Sequence, residues 1–209
     1  MVVGGWNRKT LKEIPYYPSP KEIYESIIKG EGWPYRTNRE FFLKRDRALV
    51  ALLYLGGLRV SEALRIRKSQ FVKRRNFILI RGVELSKSRV KGKPRRIKYR
   101  DVRLPLRGER APLRRLIMEY VELLDEDERL FPWSLEKNKH GQIMGCKRAW
   151  QIVKAILPDH TCHWLRAYCE DYLYSKWRGD LLAVSDYIKV DARTLQQYIR
   201  KRYERYPVV

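Results

Sequence analysis

Residues 45–66 read RDRALVALLYLGGLRVSEALRI, and the break in the middle of this stretch decides the architecture. Upstream of the break, Phe41, Ala48, Leu52 and Leu55, joined by Phe42, Leu49 and Leu53, recur at three- and four-residue intervals. That spacing sets them along one broad stripe of an α-helix beginning near Arg39. Gly56 and Gly57 stop the helix, since glycine takes the left-handed backbone of a helix end without steric cost. A short second helix is expected from Arg59-Val-Ser-Glu62 to about Ile66.

Working outward, NFILI (76–80) is a continuous β-prone run that fits a buried strand. RRIKYRDVRLPL (95–106) alternates through Ile97 and Tyr99, then slips phase at Asp101 before Val102 and Leu104, which predicts a β-bulge there. VKGKP between the two supplies a turn, so the pair reads as a hairpin. Residues 87–103 hold nine Lys/Arg against one Asp, making that hairpin a basic finger. Helices are expected at about 111–124, 147–157, 163–177, 180–188 and 191–204. Residues 1–38 carry Pro15, Pro18, Pro20 and Pro34 around one helical fragment, KEIYESIIKG, and read as an arm leading into a domain at 39–209. The fold class is mainly α with one small antiparallel sheet.

Charge is the dominant bulk property. Forty-six Lys+Arg against 24 Asp+Glu leave +22 in 209 residues, with a pI near 10.1. Such an excess repels itself unless a polyanion answers it, which points to nucleic acid. A merely thermophile-like surface would raise both signs together. The cations interleave with Tyr and Trp rather than forming an amphipathic tail, which argues against a membrane surface. Three cysteines (Cys146, Cys162, Cys169) without a C-x-x-C do not make a disulfide framework. The opening MVVGGWNRKT lacks the apolar core of a signal peptide, and no run reaches membrane-span length. A soluble chain of the cytoplasm, or of a host's cytoplasm, is expected.

A second stretch, HWLRAYCEDYLYSKWRGDLLAVSDYIKVDARTLQQYIR (163–200), carries the chemistry. His163 and Arg166 lie three apart, on one face of a helix. Leu165, Tyr168, Cys169, Tyr172 and Leu173 form another, core-facing stripe. A further helix is expected to begin at Asp191 as its cap and to run through Leu195, Tyr198 and Ile199. His160, Cys162 and His163 are close in sequence, yet they lack metal-site spacing and sit at a helix start.

Together these stretches resemble the tyrosine recombinase (phage integrase) family over roughly residues 39–204. Gly57-Leu58-Arg59-Val60-Ser61-Glu62 is similar to its first box, G-L-R-x-S-E; His163-Trp164-Leu165-Arg166 is similar to its H-x-L-R box; Tyr198 stands where its nucleophile stands. The resemblance implies that family's helical catalytic domain, and DNA breakage and rejoining through a 3′-phosphotyrosyl link. It implies Arg59 and Arg166 as phosphate clamps, His163 as acid/base partner of Tyr198, and Glu62 as a buttress. A hairpin lysine would protonate the leaving 5′ oxygen. Lys87 is favoured for its place nearer the hairpin base, with Lys91, in K-G-K-P-R-R, as the alternative. Arg89, Lys91, Lys93, Arg95 and Arg96 are expected to contact DNA. No cofactor or metal is implied, since the energy of the broken bond is kept in the covalent link.

Two departures stand out. The position nine residues before the tyrosine, where His or Trp is usual, is Lys189 here. Residues 1–38 are also too few for the core-binding domain that completes the family's clamp on DNA. A monomer when isolated, assembling as a tetramer on recombining DNA, is expected. The alternatives are a type IB topoisomerase-like nicking enzyme and a DNA-binding accessory protein that has lost catalysis.

Overall fold

The structure, a computed structural model, describes residues 17–35, 37–85, 98–125, 128–132, 144–196 and 199. Its first helix, α1 (Pro20–Lys29), starts in a reciprocal cap: Glu22 N donates to Ser19 Oγ and Ser19 N donates to Glu22 Oε2. Ile23 and Ile27 of α1 belong to the same apolar core as the helix that follows.

That helix, α2 (Arg39–Gly56), is the axis of the molecule. The sequence predicts one apolar stripe, but every residue from Ala48 to Leu58 is buried. Helix α1 and the later helices α4 (Ala111–Val121), α5 (Cys146–Ile156) and α6 (Cys162–Lys176) all pack against it, so no side is left to solvent. The enclosure even takes in Arg45 and Asp46, which sequence reasoning did not single out. Arg45 donates to Asp46 Oδ1 and the Pro132 carbonyl, and Tyr35 Oη accepts from Arg45 and donates to Asp46 Oδ2. A buried charge pair is tolerable only when its donors and acceptors are met in this way.

Gly57 ends α2 at φ 55°, and a short α3 (Val60–Ala63) follows. The chain then enters an antiparallel sheet in the order β1 (Phe71–Lys73), β2 (Phe77–Glu84), β3 (Tyr99–Pro105). β1 was not anticipated: it is only three residues long and none of them is fully buried.

The bulge also lies elsewhere than predicted. Ile80 pairs with Val102 but Val83 with Arg100, so the extra residue is in β2, around Arg81 and Gly82. Gly82 takes φ 59° there and donates its N–H to Asp101 Oδ1 at 2.9 Å. β3 itself alternates without a slip, its inward residues being Arg100, Val102 and Leu104. Tyr99, read as inward, is 58% exposed, whereas Arg100, read as part of the basic surface, is 4% exposed.

The helices of the carboxyl half match their expected places closely. α7 (Leu181–Ile188) follows α6, and a further helical stretch covers 192–196. Asp191 Oδ1 accepts from the N–H of Arg193 and of Thr194, as its expected role as cap requires. Cys169, Leu173, Val184, Ile188, Leu195 and Ile199 form a second apolar cluster, which seats this last stretch on α6 and α7. Among the described residues no helix is long and apolar enough to cross a membrane.

Candidate active site

A helix end leaves its last carbonyls unbonded and carries partial negative charge. The end of α2 answers this with arginines from three later elements. Arg100 of β3 donates to the carbonyls of Gly56 (2.6 Å) and Gly57 (3.1 Å). Arg110, which caps the start of α4, donates to the carbonyl of Leu55 at 2.8 Å. Arg166 of α6 donates to the carbonyl of Gly57 at 2.8 Å.

Two residues after Gly57, Arg59 caps α3. Glu62 reaches back to it, accepting from Arg59 N and Arg59 Nη1, each at 2.9 Å. The second oxygen of Glu62 also lies 3.6 Å from Arg166 Nη1. One carboxylate, 0% exposed, therefore bridges two guanidiniums whose residues are more than a hundred positions apart. Glu170, one turn beyond Arg166 on α6, accepts from Arg166 Nε at 2.9 Å. Arg166 is thus fixed on three sides and 2% exposed, while Arg59 keeps 39% of its side-chain surface open. Among the described residues, no acceptor meets the buried Arg166 Nη2.

His163 begins the same helix, whose first turn is capped by Thr161 Oγ1 accepting from Trp164 N. Burial, then the charge of Arg166 and of Arg59, pushes the His163 pKa down to about 3. The imidazole is therefore neutral at physiological pH and sits within the field of both guanidiniums. Burial raises the Glu170 carboxyl, and Arg166 opposes that. Three guanidiniums (Arg59, Arg100, Arg166) surround two carboxylates (Glu62, Glu170), leaving a local excess of positive charge. Of the three, Arg59, partly open, and Arg166, through Nη2, offer planar donors suited to a tetrahedral oxyanion, whereas Arg100 directs its donors to backbone carbonyls.

The structure brings Arg59, Glu62, His163 and Arg166 together. It does not join Lys189 to them among the described residues. Lys189 closes α7 in the left-handed conformation, φ 57°, with its ammonium on Asp186. It lines an open groove with Tyr187, Trp177, Arg103 and Arg100. Tyr198, Lys87, Lys91, Arg89, Lys93, Arg95 and Arg96 lie outside the described residues. His160 packs edge-on against Trp164 and Tyr168, burial pushes the Cys162 thiol up to about 12, and among the described residues no three His, Cys, Asp or Glu gather as a metal site would require. Sequence reasoning missed Glu170 and Arg100. The first sits at i+4 from Arg166, a spacing that could have revealed it.

No family model matches the sequence, and no curated protein does. Among solved structures, XerH site-specific recombinase bound to a palindromic difH substrate, in its post-cleavage complex, is similar at 23% identity with a TM-score of 0.62, over 89% of this chain and 49% of that one. XerA recombinase is similar at 18% identity and TM-score 0.55, over 93% and 66%. The Tn1549 transposon integrase in complex with circular intermediate DNA is similar at 16% and 0.53, over 88% and 60%. The chain spans about half the length of the XerH chain. Its mostly helical core with a three-stranded antiparallel sheet is the fold of the tyrosine recombinase catalytic domain.

Proposed function

We propose that this chain cleaves and rejoins double-stranded DNA at specific sites, as a recombinase or integrase of mobile DNA, with Tyr198 as nucleophile. The observation that carries the reading is the pairing of Arg59 and Arg166 on one carboxylate, Glu62, with a neutral His163 in the field of both guanidiniums. Support also comes from the solved structures of like fold, several of which hold recombination DNA.

In the proposed reaction the phenol oxygen of Tyr198 forms a bond to phosphorus as the bond to the 5′ oxygen breaks. His163 takes the phenolic proton. Burial keeps the imidazole neutral and the repulsion of Arg166 and Arg59 adds to it; a phosphate lodged between the arginines offsets that repulsion, and so raises the basicity of His163 when a proton has to be accepted. Arg59 and Arg166 donate to the non-bridging oxygens, where charge grows, each contributing about 2.7–4 kcal/mol to lowering the barrier. Lys87, or Lys91 in its stead, gives a proton to the leaving 5′ oxygen, and Lys189 adds a point charge near the phosphate. Reversal by a 5′ hydroxyl rejoins the strand, and neither a metal nor a nucleotide takes part. Residues 39–209 are the catalytic domain and 1–38 its lead-in, with Arg89, Lys91, Lys93, Arg95 and Arg96 on the DNA backbone. The chain acts within a tetramer on DNA and is a monomer without it.

The test is a duplex nicked just beyond the scissile phosphate, so that the cut fragment is lost and the covalent product is trapped. On a denaturing gel the parent gives a protein–DNA band, whereas Tyr198→Phe and Arg166→Ala give none. A band that persists with Tyr198→Phe overturns the assignment of the nucleophile.

A further inference from the structure

Arg100 takes no part in the chemistry above, yet among the described residues no other side chain ties together the same three pieces of chain. It lies on β3, the strand returning from the basic hairpin, with its side chain turned into the protein. Through Nη2 it donates to the carbonyls of Gly56 (2.6 Å) and Gly57 (3.1 Å), and through Nη1 to that of Tyr187 (3.2 Å). Its guanidinium carbon lies 5.7 Å from the centroid of the Tyr187 ring. The Gly57 carbonyl is shared with Arg166 Nη1.

One planar group therefore fastens the strand that leaves the hairpin bearing Lys87 and Lys91, the glycine turn that sets Arg59 two residues on, and the end of α7. From α7 the chain passes through Lys189 to the helical stretch at 192–196, two residues ahead of Tyr198 in sequence. The fixed, spread fork of a guanidinium lets one side chain reach carbonyls on two separate segments at once. The arrangement has a cost: burial, and then the like charge of Arg166, lowers the Arg100 pKa from its usual range. An apolar residue at this position, which shares its face with Val102 and Leu104, would escape that cost but would leave the carbonyls of Gly56, Gly57 and Tyr187 without this donor. A cation kept here has a task that an apolar side chain cannot perform.

Resting on the strand-transfer reading, we propose that Arg100 is a positioning residue, which holds the hairpin, the Arg59 turn and the tyrosine-bearing segment in register so that lysine, arginines and phenol meet at one phosphate. The test compares the parent with Arg100→Met, which keeps an unbranched apolar stem and removes the donors, and with Arg100→Lys. Each is measured for single-turnover cleavage of the nicked duplex, for DNA affinity, and for folding by circular dichroism.

The expected result for Arg100→Met is a cleavage rate lower by about 100-fold, the scale of a small misplacement of reacting groups, with affinity unchanged. Arg100→Lys recovers part of the rate, because an ammonium can serve one carbonyl but cannot span three. A substrate with sulfur in place of the bridging 5′ oxygen loses a thiolate, which departs without a proton. That substrate should narrow the gap between parent and variant by the share owed to a displaced lysine. If Arg100→Met does not fold, Arg100→Lys carries the same comparison. A folded variant that cleaves as fast as the parent overturns the proposal. A loss that tracks DNA affinity and is unmoved by sulfur overturns it too. A parent that forms no adduct overturns the strand-transfer reading itself, and this proposal with it.

Discussion

Glu62 neutralises part of two guanidiniums while itself being shut off from water. Replacing it with glutamine keeps the shape and removes the charge, leaving Arg166 buried with one carboxylate partner fewer. Breaking a buried ion pair from one side costs about 3–5 kcal/mol, so Glu62→Gln should lower the urea midpoint and the cleavage rate together. His163 makes the opposite kind of prediction, in pH. Its folded pKa, about 3, lies below the ordinary 6.5, so between those values the unfolded chain binds more protons than the folded one. The resulting stability is full above about pH 6.5 and falls as pH drops toward 3. Urea titrations across that range should show a smaller pH slope for His163→Gln than for the parent. By NMR, the imidazole should stay neutral down to about pH 3 without DNA, and titrate at higher pH once a DNA phosphate lies between Arg59 and Arg166. An imidazole that titrates near 6.5 in the free protein would contradict this placement of the arginines.

Two glycines with nearly the same backbone show what each element demands. Gly57 (φ 55°) ends α2, and a Cβ there would meet Ile188 Cδ1 at 2.7 Å and Cys169 Sγ at 3.1 Å. Gly82 (φ 59°) sits in the β2 bulge with nothing within 4 Å of such an atom. Gly82→Ala should therefore cost only the backbone strain, about 1–2 kcal/mol. Gly57→Ala adds overpacking of about 1–3 kcal/mol to that strain, and it also shifts the carbonyl that holds Arg100 and Arg166. Paired thermal melts measure the difference, and equal losses would mean that the turn is not tightly packed. The break at Gly56-Gly57 was legible in sequence because a helix must stop somewhere and glycine is the cheapest place to do it. The carboxyl helices were legible because their apolar spacing is undisturbed. The β3 phase was not. Reading Tyr99 as inward and Arg100 as surface follows average preference, but the orphan carbonyls of α2 drew the arginine inward, a tertiary effect that no local pattern encodes.

At the scale of the whole molecule, +22 of net charge should make the proposed DNA affinity fall steeply with salt. Neutralising Arg89, Lys91, Lys93, Arg95 and Arg96 together should reduce the slope of log affinity against log salt by about 0.9 for each phosphate that the protein then leaves to its counterions. A slope left unchanged would remove the hairpin from the DNA interface. As for the site, Arg59, Glu62, His163 and Arg166 were readable from motif order alone, and the fold brings those four together. What sequence withheld is how the turn beside them is held: Arg100 and Arg110 act on backbone carbonyls at the end of α2, which have no sequence signature, whereas Glu170 is an i+4 neighbour of Arg166 that spacing could have shown. The remaining question is whether a DNA phosphate held at the site, as proposed, ends on the phenol of Tyr198. Trypsin digestion of the trapped adduct, followed by mass spectrometry, answers it directly. Cleavage after Arg193 and Arg200 releases the peptide TLQQYIR (194–200), which holds a single tyrosine. This peptide should carry the mass of a nucleotide 3′-phosphate on Tyr198; the same mass on any other peptide, or on none, would contradict the account.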